Sequence, residues 1–253
     1  MPLAHAMWRA AESEALSEHR WQHPVLDLGC GDGAFVRTIF DQSLEAGLDL
    51  SLRQLHRAAH KGCYRHLCLA SGSYLPFADQ SFATVLSNCV LEHSADIASI
   101  LSEVARVLRP GGELVFTVPS ENFRSLLFYT RALRRLGLTS AGEMYGKWID
   151  RVFDHHICDG PAAWDRRLSA AGLTLTSHRY IVPARAAALW DLLLPLAAMQ
   201  QVSRRSLPAL GLLGQEVVGP HLQEPLGKVL AMREDCGGGL VMVGRKVETC
   251  VAG

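Results

Sequence analysis

Residues 25–33 read Val25-Leu26-Asp27-Leu28-Gly29-Cys30-Gly31-Asp32-Gly33. A short apolar run carries one carboxylate, and three alternating glycines follow. Glycine permits positive φ angles and an approach that any β-carbon would block. The pattern therefore predicts a strand entering a tight turn whose backbone lies against a ligand. Gly29-x-Gly31-x-x-Ala34 fits the G-x-G-x-x-G/A fingerprint, and Asp49 follows Gly29 at about the ~20-residue spacing of a ribose-binding acid. The chemistry on offer is the holding of a nucleoside-bearing cofactor outside the carboxyl end of a strand.

These features alone fit either NAD or S-adenosyl-L-methionine (SAM). Asp27 favours the second. A pyrophosphate near the strand end would be repelled by its carboxylate, whereas the ammonium and sulfonium of SAM would be attracted. Further segments point the same way: Gly47-Leu48-Asp49-Leu50-Ser51, Leu75-Pro76-Phe77, Ser81-Phe82, Ser87-Asn88-Cys89-Val90-Leu91-Glu92-His93, and Glu103 through Arg106 to Gly112. In this order and spacing the chain resembles the class I SAM-dependent methyltransferases of the group that methylates quinones, sterols and other small molecules. The likeness covers residues 24–118 and thins beyond.

The resemblance implies an α/β fold: a doubly wound, Rossmann-like, seven-stranded sheet, mostly parallel with an antiparallel last strand, helices on both faces. It implies SAM as cofactor and S-adenosylhomocysteine as product. Gly29, Cys30, Gly31 and Gly33 are expected to hold the methionine part, with Asp27 acting on the ammonium. Asp49 is expected to accept from both ribose hydroxyls, with Leu50 beside it. Ser71, Gly72 and Ser73 fall at the adenine. Ser71 stands where the family often has an acid, so that contact loses its charge. Asn88 and Cys89 follow the fourth strand at the mouth of the site. His93 either aims into the cleft or ties its loop to the next helix.

The elements that must position these groups follow from periodicity. Residues 5–20 predict an amphipathic helix with Met7, Ala11, Ala15 and Leu16 on one stripe. Strands are expected at 23–28, 44–50, 64–70, 82–87, 113–118, 173–182 and 239–247. Helices are expected at 34–40, 51–60 with Ser51 as N-cap, 95–108 ended by Pro110-Gly111-Gly112, and 161–172. The chain reads as one domain: a leading helix (1–22), a cofactor core (23–118), an insertion (119–159), further core (160–182), a second insertion (183–236), and a last strand and tail (237–253). Both insertions exceed ordinary connections, so acceptor specificity is placed there.

For methyl transfer to an oxygen acceptor a base is needed. His155, His156 and Tyr145 are the candidates, histidine titrating near neutral pH. The same histidines also suit plain hydrogen bonding before a helix. His56, His60 and Cys63 have metal-ligand types, as does the run Asp154 to Asp159, yet neither offers a convincing ligand set, and no metal is expected. Arg124, Arg131, Arg134 and Arg135 punctuate an apolar stretch. This basic amphipathic pattern suits a peripheral membrane contact, an anionic acceptor or a solvated helix face. The apolar second insertion suits a lipid-like or aromatic acceptor, a dimer contact or core helices.

The chain has 253 residues, zero formal net charge and seven cysteines. That length buries a sizeable core. Zero charge and no basic stripe disfavour nucleic acid as partner. Scattered, odd-numbered cysteines suit a reducing, cytoplasmic setting. Residues 181–199 are too interrupted by charges and prolines to span a membrane. A SAM-binding non-catalytic subunit and an NAD-dependent oxidoreductase remain the rival readings.

Overall fold

The structure is a computed structural model that describes residues 3–206 and 234–247. The predicted architecture is present. Seven strands form one sheet in the order β3-β2-β1-β4-β5-β7-β6. They are β1 (Val25–Leu28), β2 (Leu44–Asp49), β3 (Tyr64–Leu69), β4 (Phe82–Asn88), β5 (Leu108–Pro119), β6 (Leu173–Pro183) and β7 (Gly237–Lys246). β1 pairs in parallel with β2 and β4, β2 with β3, and β4 with β5. The β5-β7-β6 edge is antiparallel. β1 and β4 are buried at every residue, as central strands covered on both faces must be. The order reverses between β1 and β4, which sets a ligand crevice at their carboxyl ends.

The helices are α1 (Leu3–Ser17), α2 (Leu52–Lys61), α3 (Ile97–Val107), α4 (Phe123–Leu126), α5 (Phe128–Arg135), α6 (Thr139–Phe153), α7 (Pro161–Ala170) and α8 (Ala184–Ser206). Local chemistry explains several limits. Ser51 Oγ accepts from Gln54 N at the start of α2, and Gly62 closes it in the left-handed region at φ 63°. Asp96 caps α3 through Ser99 N. Pro161 opens α7, where its missing N–H costs nothing. Met7, Ala11, Ala15 and Leu16 of α1 are buried, as their spacing predicts.

Two elements differ from the sequence reading. Residues 34–40 do not form an α-helix; only a 3-10 turn, Val36–Thr38, follows the glycines. Arg37 instead donates to Lys61 O at 2.8 Å, and Thr38 Oγ1 to Phe35 O at 2.7 Å. The second difference is at β5. α3 stops at Val107 and the strand starts at once, so Pro110-Gly111-Gly112 lie inside the strand, not in a loop before it. Phe82 pairs with Leu108 but Thr84 already pairs with Glu113. Pro110 cannot donate to a ladder, and the surplus residues form a bulge.

The described residues fall into two compact units. One draws on Ala15–Pro119, His155–Arg179 and Leu240–Gly253 and carries most of the sheet; the other draws on Met1–Glu14, Ser120–Asp154 and Tyr180–Gly239 and is mainly helical. In the sheet unit Val25, Leu44, Leu55, Leu86 and Val115 share one core, and Phe116 of β5 packs on Trp164 of α7 with ring centroids 5.0 Å apart. In the helical unit Ala4, Phe123, Leu127, Ile149 and Trp190 form the core. The predicted second insertion begins as α8; residues 207–233 lie outside the described residues. No helix among the described residues is long and apolar enough to cross a membrane.

Candidate functional site

A cleft of about 520 Å³ opens in the sheet unit at the carboxyl ends of β1 to β4. Such a volume suits a small-molecule ligand. Each strand end contributes: Leu28-Gly29 after β1, Asp49-Leu50 after β2, Ala70 to Ser73 after β3, and Cys89-Val90 after β4. The loop into α3 adds His93, Ser94 and Ala95, and Ile100 rises from the helix itself.

The glycine turn is built as a clasp between β1 and β2. Gly29 N and Cys30 N both donate to Leu48 O, at 2.8 and 2.9 Å. Asp49 then holds the far side. Its Oδ2 accepts from Gly31 N and its Oδ1 from Ser51 N, each at 2.8 Å. A carboxylate oxygen has a second lone pair, so these bonds leave Asp49 able to accept from a ligand. Gly29 has φ 77°, and a β-carbon there would lie 2.4 Å from Val90 Cγ2. Gly33, at φ 72°, backs onto β3: a β-carbon would sit 3.2 Å from Cys63 Sγ and from Tyr64 Cε2.

The structure brings Gly29, Asp49, Leu50, Ser71, Gly72, Ser73 and Cys89 together along the cleft, as the sequence reading expects. Asp27, Cys30, Gly31, Gly33 and Asn88 do not line it. Asp27 is engaged within the sheet unit. Its buried carboxylate accepts from Tyr64 OH at 2.6 Å, and burial with that neighbouring charge pushes the phenol pKa far up. Cys30 is also buried, and burial raises its thiol pKa strongly, Asp27 adding to the effect. Asn88 Oδ1 accepts from Thr117 Oγ1 at 2.8 Å, tying β4 to β5. Cys89 follows at φ 51° and turns the chain across the cleft mouth.

The loop after β3, residues 71–80, is held from below by α3. Arg106 donates to Glu103, to Asp79 Oδ1 at 2.7 Å, and to the carbonyls of Leu75 and Phe77 at 2.9 and 2.8 Å. Glu103 Oε2 accepts from Leu75 N at 2.7 Å. The Arg106 bonds hold the Glu103 carboxyl below the ordinary carboxylate range. Within the loop, the Ser71 and Ser73 hydroxyls bond each other at 2.7 Å. Neither Arg106 nor Glu103 was singled out from sequence. Their signal in the sequence is the i,i+3 spacing of opposite charges on the helix predicted over 95–108.

Among the candidate bases, His155 lies beside the cleft. Its ring centroid is 5.8 Å from that of His93, which lines the site. The His156 side chain is exposed, and its N–H docks on Glu92 O at 2.8 Å. Tyr145 belongs to the helical unit and donates to buried Asp191. Burial and that bond raise its pKa well above the ordinary phenol, which makes it a poor base. His56, His60 and Cys63 do not gather; Cys63 Sγ donates to Gly33 O at 3.4 Å. Arg124 of the basic stretch pairs with Asp150.

The cleft fits a nucleoside with a cationic tail. It offers a carboxylate with spare lone pairs, a wall of apolar side chains from Leu28 and Ile100 and, among the described residues, no lysine or arginine. Comparison with known proteins agrees. Residues 26–116 match the family model described as a methyltransferase domain. The chain is 38% identical over 94 residues to malonyl-[acyl-carrier protein] O-methyltransferase of Pseudescherichia vulneris, covering 37% of this chain and 38% of that one. It is 36% identical over 117 residues to demethylmenaquinone methyltransferase of Tropheryma whipplei (strain Twist), covering 45% and 48%. The chain thus spans less than half the length of these curated relatives. A crystal structure of a SAM-dependent methyltransferase from Thermotoga maritima superposes with a TM-score of 0.60 at 16% identity, over 96% of this chain and 91% of that one, which shows a shared fold.

Proposed function

We propose that this chain, whose residues 26–116 form a methyltransferase domain, binds SAM in the cleft at the ends of β1 to β4 and moves its methyl group to an oxygen of a small-molecule or lipid-linked acceptor. The observation that carries the reading is Asp49. One carboxylate fixes Gly31 and Ser51 of the turn and keeps lone pairs toward the cleft, where two ribose hydroxyls can donate to it.

Bound SAM supplies an activated methyl on its sulfonium. The residues of this chain have the remaining tasks. Gly29 and the Cys89-Val90 turn enclose the methionine end. Ser71, Gly72 and Ser73 face the adenine with uncharged groups, and Leu28 and Ile100 offer its faces an apolar wall. Asp27 acts through Tyr64 and the turn it supports, as a positioning residue. His93 and His155 border the mouth, and a neutral imidazole there can take the proton of an acceptor hydroxyl. Holding the acceptor in line with the methyl supplies much of the rate, up to roughly 7–11 kcal/mol in ideal cases. Similarity to the O-methyltransferase of Pseudescherichia vulneris supports transfer to oxygen. A cytoplasmic setting fits the chemistry.

Isothermal titration with SAM and with NAD, followed by assay of S-adenosylhomocysteine release over a panel of acceptors, tests the proposal. SAM binding with acceptor-dependent release is the expected result. NAD binding without SAM binding would overturn it, and SAM binding without release for any acceptor would favour a non-catalytic subunit.

A further inference from the structure

The helical unit contains a second pocket, larger than the cofactor cleft and chemically unlike it. Its volume is about 730 Å³. Its walls come from α5, α6, the first half of α8 and His5 of α1. Among the described residues, no acidic side chain, lysine or arginine lines it. Three rings follow one another along the wall: Tyr129 and Tyr145 are 5.5 Å apart at 65°, and Tyr145 and Trp148 are 5.8 Å apart. The Tyr145 hydroxyl is already committed to Asp191, whose other oxygen accepts from Tyr129 N at 3.0 Å. Asp191 itself is fully buried, so this pair fixes α5, α6 and α8 around the pocket. Leu136, Trp148 and Val152 line the pocket yet are more than half exposed, at 75%, 54% and 55%. Apolar lining left this open gains by covering it with apolar surface.

We infer that this pocket is a binding site for an uncharged, hydrocarbon-rich small molecule bearing an aromatic ring. A charged ligand would lose its hydration and meet no counter-charge among the described lining residues. A ring is favoured because the Tyr129-Tyr145-Trp148 series presents edges and faces at the spacing at which aromatic groups pack. Burial, then the nearby Arg9 charge, lowers the pKa of His5, so this histidine adds no positive charge at neutral pH. The assignment goes beyond methyl transfer and does not depend on it.

The test uses the neutral probe N-phenyl-1-naphthylamine with the full chain in the absence of SAM. Its fluorescence should rise saturably with one site per chain, with energy transfer from Trp148 that the Trp148→Phe variant reduces. Ala132→Trp, which fills the pocket from α5, should weaken the probe by at least about tenfold. Val152→Asp sets a charge at a half-exposed rim where folding tolerates it, and should weaken the probe by about tenfold, the equivalent of ~1.4 kcal/mol. Affinity for SAM, titrated separately, should not change in either variant. Absence of probe uptake, uptake without saturation, or equal affinity in both pocket variants would overturn the inference. So would loss of the pocket to a second copy, seen as dimers that exclude the probe.

Discussion

Replacing Asp49 by Ala removes the acceptor for two backbone donors at once. Gly31 N and Ser51 N each lie 2.8 Å from its oxygens. A hydrogen bond to a charged group is worth about 1.5–3 kcal/mol. Asp49 is only partly buried, so water recovers some of that, and about 2–3 kcal/mol in total is the expected loss of stability. For a chain of this size each kcal/mol shifts the melting temperature by roughly 2–4 °C, so the variant should melt about 4–12 °C lower without ligand. The second effect falls on SAM. A loosened turn and two ribose hydroxyls without their acceptor should weaken binding by about 1–3 kcal/mol, or roughly 5–150-fold. Asp49→Asn keeps one acceptor oxygen and should fall between. Differential scanning fluorimetry and isothermal titration read the two effects separately. A variant that melts within about 1 °C of the parent and binds SAM equally well would refute the reasoning for turn and ribose together. A destabilised variant of normal affinity would place the ribose elsewhere.

Arg106→Ala should destabilise the sheet unit by about 2–4 kcal/mol, because Glu103 and two loop carbonyls lose their partner in one step; Arg106→Lys should recover only a part, lacking the planar fork. The Glu103 carboxyl is held below its ordinary value of 4.5, so its contribution is full above that pH and is lost as pH falls through the lower folded value. Chemical unfolding across the acid range should show that limb in the parent and a flatter one in Arg106→Ala. Gly33→Ala should cost roughly 2 kcal/mol, from the left-handed backbone and the crowding at Cys63 and Tyr64, read as a lower denaturation midpoint. His155→Ala should leave SAM affinity unchanged and slow turnover on an oxygen acceptor by about 10²-fold or more, whereas His156→Ala should alter neither affinity nor turnover; equal, small effects of both on turnover would remove His155 from the reaction.

The sheet was legible because its strands are buried runs with few alternatives. Val25–Leu28 and Phe82–Asn88 must be central, and the capping residues Ser51 and Pro161 mark the helix starts beside them. The cofactor cleft was legible where backbone geometry demands a residue type, as at Gly29, or where one acid sits at a strand end, as at Asp49. Asp27 was harder. Its place at the strand end is readable, but its partner, Tyr64, lies 37 residues on in β3, and only the pairing of β1, β2 and β3 brings them together. Ile100 reads as a core position by its helical spacing, yet it faces the cleft because α3 begins at the mouth of the site. The missing helix after the glycines was not legible, because residues 34–40 have an apolar, helix-like composition while Arg37 and Thr38 tie the segment down as a short turn through Lys61 O and Phe35 O.

That missing helix also bears on which anions this turn can hold. A full helix sums the dipoles of its peptide units into a partial positive charge at its start, which is what draws a pyrophosphate to glycine-rich turns. The three residues Val36–Thr38 align too few peptides to build such a field. A dinucleotide arriving here would meet scattered N–H groups, two of them engaged with Leu48 and one with Asp49, and no collective attraction. The shortness of this helical turn thus adds to the side chains around it in supporting the proposed phosphate-free ligand.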